Sequence, residues 1–585
     1  MNYQKNIALL LVVFLYQISW AQKKDENIGS EVVNIVKPYS PTISDAFKVK
    51  ETPNFDNDMA IKKEKITYSI FSFPVASTFT PAKGKAADVE KSKKEKVFDN
   101  YATLGFGNYL TLNAELFLTQ QFDKNKYVGG MIRHLSSSGE IDGVVLENQF
   151  ATTTADVTFG NRNSSLHYTL DLGYKNQVTN WYGLPLTKVP FAETNIIANI
   201  SEKQTYNTFQ FGGKLGMNDG FLNQSTLFFK RFSDALGSVE NRFYVKPETS
   251  IEILNTKVKF DVIADFVGGN FDQFFYPSTA TLNYSSFNVC VSPSILLQNE
   301  AYSVQFGASV FYSAQKFDSV SDSNVFIYPN INASFKIVPE ILIAYAGAEG
   351  TLHQNSYADF VDNNPFVSPA LIVSPTNQKY DVFAGLKGKL SNTVSFNLRA
   401  SYKDEANKAL FRNNIFDFES TNTAGYAFGN SFQVVYDDVK TITGFGELKA
   451  DFSKNISFTI NGSFNSFSVT NEQEAWNLPT LQVSSALDIN FSEKWYAGAK
   501  VFFVGDRKDI QNQAFSTFSM ATSDTQTVSL DSYLDLNAHI GYKYNQRLTA
   551  FVRGNNLTGQ NYERWVNFPV QSIQVLLGAN YKFDF

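Results

Sequence analysis

The chain has 585 residues, a formal net charge of −6, a single cysteine and a charged fraction of 18%, below the ~25% of ordinary soluble domains. The acidic balance argues against nucleic acid as a partner, and the lone Cys290 leaves no internal disulfide to form. Aromatic residues reach 15%, with 54 Phe and 29 Tyr, yet behind the N-terminus there is no apolar run of about 18 residues, which excludes helical membrane spans and requires another surface for these side chains to cover.

At the N-terminus, Lys5 precedes an apolar run over 7–18 and then Ser19, Trp20 and Ala21, with small residues at the two positions a signal peptidase inspects. Residues 1–21 are therefore expected to be a cleaved Sec signal peptide. Gln22 follows where a lipoprotein would need Cys, so no lipid anchor is expected. Residues 22–100 read as an irregular periplasmic segment, holding Pro38, Pro41, Pro53, Pro74, Pro81 and a lysine-rich run over 83–96. That run is most simply a solvated linker; docking on anionic lipid or on a partner is the alternative, weakened because Asp88, Glu90 and Glu95 dilute the charge.

From residue 101 onward the pattern has a period of two. Val394, Phe396, Leu398, Ala400 and Tyr402 oppose Ser395, Asn397, Arg399, Ser401 and Lys403, so two cations lie on a face that cannot be lipid. The same split recurs over 456–465 and 534–543. In the last strand Ile573, Val575, Leu577, Ala579, Tyr581, Phe583 and Phe585 share one face, and only Leu576 breaks the rule. A soluble sandwich would also alternate, but these strands reach the ~9–11 residues a tilted membrane strand needs and carry aromatics near their ends, where an interfacial girdle lies. In hydrocarbon an open edge leaves N–H and C=O groups unpaired, so the strands must close on themselves.

Short polar turns at 123–126, 161–163, 217–220, 254–256, 298–301, 338–340, 391–392, 453–455, 492–494 and 545–547 read as periplasmic hairpins, and longer connections such as 184–203, 358–378, 407–429 and 511–530 as extracellular loops. Ten hairpins account for twenty strands. One strand ending at Phe585 and one before Thr111, drawn from 101–108 or from 68–78, complete the count. The expected fold is all-β: a large antiparallel transmembrane β-barrel of about 22 strands over 101–585, with short periplasmic turns and long extracellular loops.

Chemistry-bearing motifs are sparse. His134, His167, His353 and His539 fall on different strands without metal-ligand spacing, there is no G-x-S-x-G elbow, and Gly105-Phe106-Gly107 lacks the third glycine and helix that phosphate binding needs. No catalytic, cofactor or metal site is expected, the best acid and histidine pairing being His353 with Asp359 or Asp362. Trp181, Tyr182, Phe366, Trp476 and Trp565 lie near extracellular strand ends, and 505–509 places Asp506 and Arg507 just above a strand top. The aromatics and charges are candidate ligand contacts; an aromatic belt and a hydrated rim are the bland alternatives.

The C-terminal stretch Arg553-Gly554-Asn555-Asn556-Leu557-Thr558-Gly559-Gln560-Asn561-Tyr562, with the aromatic last strand ending in Phe585, resembles the end of TonB-dependent receptor barrels. The resemblance implies a Gram-negative outer membrane, contact with its lipids, and a C-terminal signal in Tyr581, Phe583 and Phe585 for the barrel-assembly machinery. It also implies a folded N-terminal plug, for which residues 22–100 are too short. Glu31, Val32, Val33, Asn34, Ile35 and Val36 are similar to a Ton box, the strand that TonB captures by β-addition; packing on the periplasmic rim is the alternative. A barrel of 22 strands is too wide for its own side chains to fill, so the N-terminal segment, inward-folded loops such as 358–378, or a partner must occupy it. Uptake or binding of an extracellular ligand, with TonB and a surface lipoprotein as partners, is the leading expectation. The second is a non-transporting barrel subunit of an outer-membrane assembly or secretion complex.

Overall fold

The computed structural model describes residues 96–163, 165–187, 197–217, 222–253, 256–273, 281–416, 422–512 and 525–585, all within the compact unit 94–585. The expected signal peptide and the Ton-box-like hexamer at 31–36 lie outside the described residues. Twenty-two strands form one antiparallel sheet in which each pairs with the next. The first, Asn100–Gly107, pairs with the last, Gln574–Phe583, from Asn100↔Phe583 to Gly107↔Leu576, which closes the cylinder and leaves no edge facing lipid.

All ten predicted turns join successive strands at one end. Several are built by a side chain that imitates the backbone. Asp123 Oδ1 accepts from the N–H groups of Asn125 and Lys126 at 2.7 and 2.8 Å, Asn299 Oδ1 from Ala301 and Tyr302, and Asn545 Oδ1 from Arg547 and Leu548. At the other end strands outgrow the membrane: the fifteenth, Val394–Asn413, has 20 residues and the sixteenth, Phe432–Ser453, has 22, against the ~9–11 a crossing needs. Because their turns at the opposite end are two residues long, the excess projects on the extracellular side.

The alternation resolves as expected. Leu386 faces Leu398 and Ala384 faces Ala400 on the outer surface, where Leu398 is 51% exposed to what would be lipid. On the inner face Arg399 pairs with Asp381 at 3.0 Å and lies 4.0 Å over the Phe383 ring.

The irregular Leu576 has a physical reason at the closing seam. It is buried on the inner side against Gly105 and Gly107, where a Cβ on Gly105 would meet Leu576 Cδ2 at 3.0 Å and one on Gly107 would meet Val575 O at 2.6 Å. The Gly-Phe-Gly sequence thus makes room for an inward leucine where the first and last strands of the barrel meet. Gly107→Val is expected to cost about 1–3 kcal/mol by overpacking and to lower the heat-modifiable, folded fraction on gels. An unchanged fraction would show that the seam tolerates bulk.

Candidate functional site

The connection between the thirteenth strand, Leu342–His353, and the fourteenth, Thr376–Ser391, turns into the barrel and carries helix α1, Tyr357–Asn363. Its sequence specifies both ends. Ser356, extended, accepts from Asp359 N through its side chain at 3.1 Å, Asp359 supplies negative charge to the first turn, and Pro365 follows the C-cap Asn364.

α1 is fastened to the inner wall by polar groups. Glu240, on the eighth strand Val239–Ile253, accepts from the N–H groups of Tyr357 and Ala358 at 2.6 and 3.1 Å and from Tyr284 Oη at 2.7 Å. Tyr357 Oη donates to Asp234 Oδ2 at 2.9 Å. Asp359 pairs with Arg242 at 2.9 Å and Lys230 at 3.5 Å, and Asp362 pairs with Lys175 at 2.6 Å. Arg242 also grips Asp265 with a two-pronged contact at 2.7 and 3.0 Å. Arg242 alternates along its strand with the outward Phe243, which places this attachment inside the lumen.

Above α1, connections from well-separated points of the ring meet. Tyr182 follows the fifth strand, Leu166–Asn180; Phe366 follows the thirteenth; Phe568 lies between the twenty-first, Leu548–Asn555, and the last. Their ring centroids are 5.6, 4.9 and 3.9 Å apart, and Tyr182 Oη donates to Pro569 O at 2.9 Å. Trp565 joins them through Phe432 at 5.3 Å and Phe411 at 5.5 Å. The result is an apolar core strung across the mouth of the barrel, hereafter the cap.

A polar hub supports its side. Asp509, on the hairpin of Arg507–Asn512 with Thr525–Leu530, is fully buried and accepts from Asn413 N at 2.9 Å and Asn477 Nδ2 at 2.6 Å. Burial pushes its carboxyl up to about 7, against those hydrogen bonds, which favour the ionised form. Trp476 is buried nearby between Leu410 and Val439, its Nε1 donating to Glu472 at 2.8 Å.

The candidate ligand contacts therefore divide. Trp181 is buried edge-on to Tyr426 at 5.6 Å, while Tyr182, Phe366 and Trp565 flank the cap core. Arg507, also buried, donates to the carbonyls of Glu563 and Arg564, and burial holds its pKa below the usual value. Asp506 alone of this group is exposed. His353 is not joined to Asp359 or Asp362: its Nε2 meets Gln378 Oε1 at 3.2 Å while both aspartates hold wall cations. Tyr581 and Phe583 stack at 6.1 Å at the end of the last strand, and Phe585 is 83% exposed. Asp234, Glu240, Arg242 and Asp265 were missed by sequence reasoning. Their signal was only that charges occupy lumen-facing positions on the seventh to ninth strands.

No family model and no curated protein matches the sequence. Solved structures do share the architecture. The FrpB iron transporter from Neisseria meningitidis matches with a TM-score of 0.62 over 84% of this chain and 82% of its own, at 9% identity. The ferripyoverdine receptor of the outer membrane of Pseudomonas aeruginosa gives 0.61 over 83% and 72%, at 12% identity. The ferric-catecholate import receptor Fiu from E. coli K12 gives 0.60 over 83% and 82%, at 10% identity. The fold is that of a TonB-dependent receptor barrel. The closed sheet with its outward apolar belt meets the requirements of a barrel that crosses a membrane. At 9–12% identity the likeness concerns the fold, so the ligand has to be argued from this barrel's own lumen and cap.

Proposed function

We propose that the chain is a gated outer-membrane receptor that takes up an extracellular ligand through its lumen, with the cap and α1 as the gate. The observation that carries this reading is the chemistry of the attachment. A permanent filling would gain as much from apolar packing as from buried charge pairs, since burying ions costs about what their attraction returns. Here, alongside the apolar contacts of Tyr357, Phe360 and Val361, the wall holds α1 through the polar and charged groups of Glu240, Asp234, Arg242, Lys230 and Lys175. Such groups are well solvated once separated, which is the character of interfaces that open.

Opening needs work, and the source we propose is TonB, acting on the Ton-box-like hexamer Glu31, Val32, Val33, Asn34, Ile35 and Val36, with a surface lipoprotein as a further partner on the extracellular side. The solved neighbours whose names describe import or transport support this direction. Site-directed crosslinking from Asn34→Cys is expected to trap TonB in cells, and deleting residues 31–36 to abolish the crosslink while the barrel stays heat-modifiable. A TonB crosslink that survives the deletion would reject energy coupling through this hexamer.

A further inference from the structure

The wall behind α1 is built for more than holding a loop. Tyr206, Phe232 and Phe271 surround the Tyr357 ring at centroid distances of 6.4, 5.1 and 5.0 Å, nearly all edge-on, and all three belong to barrel strands. At the end of this aromatic cage stands Asp234. Its Oδ1 is taken by the N–H groups of Leu236 and Ser238 at 2.9 and 2.8 Å, which leaves Oδ2 facing the phenol at 2.9 Å. A carboxylate at the end of an apolar cage is costly unless a donor meets it, so the cage selects a hydroxylated ring over a plain one.

Around the cage the wall reads a backbone. Glu240 takes two successive amide N–H groups, and Tyr206 Oη donates to the carbonyl of Pro365 at 3.0 Å. Beyond them Arg242, Lys230 and Lys175 receive the side-chain carboxylates two and five positions after Tyr357, at Asp359 and Asp362. Ring, amides, carbonyl and acidic side chains are all recognised by residues of the wall.

We infer that this wall is a peptide-binding site occupied by the chain's own loop as a self-ligand, and that the incoming ligand is a peptide carrying a tyrosyl ring followed by acidic side chains. The inference rests on the gated-uptake reading and deepens it: such a peptide competes with residues 356–365 for the wall, so binding and release of the gate are one event. The competition also lowers apparent affinity by the fraction of time the loop is away.

The test uses the full mature chain in detergent and a labelled synthetic peptide reproducing residues 355–366. Freeing the wall with Tyr357→Ala and Asp359→Ala together should tighten peptide binding at least about tenfold over the natural chain. Phenylalanine in place of the peptide's tyrosine should weaken it about tenfold. Equal binding of a scrambled peptide, or no saturable binding to a heat-modifiable double variant, overturns the proposal. Should the double variant fail to fold, Val361→Cys in a Cys290→Ser chain replaces it: α1 buries Val361, so saturating peptide should speed its maleimide labelling about tenfold. An unchanged rate overturns the proposal. Conductance separates the two readings. A barrel lacking residues 356–366 that conducts but ignores the peptide overturns the peptide site and leaves the gate standing, whereas one that binds the peptide yet stays silent supports the site and removes the gate.

Discussion

Asp359→Arg is expected to turn a silent barrel into a conducting one. In the closed state the Asp359 carboxylate meets Arg242 at 2.9 Å and Lys230 at 3.5 Å, and both cations are largely buried. Hydrogen bonds to charged groups contribute about 1.5–3 kcal/mol, and an arginine placed there would add repulsion from two like charges in a site of reduced dielectric. Neither penalty persists once the loop has left, because Arg242 keeps Asp265 at 2.7 Å and Lys230 is hydrated. The whole difference therefore falls on the closed state. A total of about 3–4 kcal/mol multiplies the open fraction by roughly 10²–10³. Single-channel recording in planar bilayers should show rare or no openings for the natural chain, frequent openings for Asp359→Arg, and an intermediate level for Asp359→Asn. High salt should raise the natural chain's openings as well, since Asp359 is 38% exposed and its pairs are screened in part. If Asp359→Arg migrates normally on gels yet conducts no more than the natural chain, the loop is not the gate.

The second large effect is a pH dependence of the cap. Asp509 is held near 7 by burial, well above the ordinary range of an aspartate, so the packed cap binds this proton more tightly than the opened one does. The sign follows from linkage. Its contribution is fully present below about pH 4, where the carboxyl is protonated in both states, and is lost progressively as pH rises through about 7. A shift of this size corresponds to a few kcal/mol at most. Protection of the Asn413 and Ile510 amides, whose N–H groups point at Asp509, measured relative to the base-catalysed intrinsic exchange rate, should therefore be greatest in mild acid and fall toward neutrality. Asp509→Asn keeps an acceptor without a titrating proton and should flatten that slope. The informative quantity is the difference between the two chains. A natural chain with no slope at these amides, or an unchanged slope in Asp509→Asn, would falsify the assignment.

Much of this barrel was legible because its determinants are local. Side chains two apart face the same way, so the opposition of Val394, Phe396 and Leu398 to Ser395, Asn397 and Arg399 marks the two faces of a wall without knowledge of any neighbour. Turns at Asp123, Asn299 and Asn545 are written in the one side chain that folds back on its own backbone. Hydrocarbon then demands closure, and the strand count follows.

The mouth was less legible because its partners are remote. Trp181, Tyr182, Phe366, Arg507 and Trp565 were recognised as belonging to the extracellular end, but whether they meet a ligand or one another depends on loops that leave the ring at its fifth, thirteenth, nineteenth and twenty-first strands. An exposed loop aromatic and one buried in a cap have the same sequence context. The possibility that 358–378 folds inward was open to sequence reasoning, whereas its anchor was not: Arg242 and Asp359 are 117 residues apart, and nothing periodic links them. Leu576 shows the same division on a smaller scale, an apparent error in the alternation until Gly105 and Gly107 are placed across the closing seam.

The amino-acid sequence by itself determined a membrane wall, its two faces, its hairpins and its number of strands, because each rests on neighbouring residues and on the demand that no backbone group go unpaired in lipid. Only the tertiary structure decided that the cylinder is capped, which side chains hold α1, and that Tyr357 fills a cage with Asp234 at its end. Those outcomes depend on where long loops land, and a loop's landing place is set by contacts between residues that the chain itself keeps far apart.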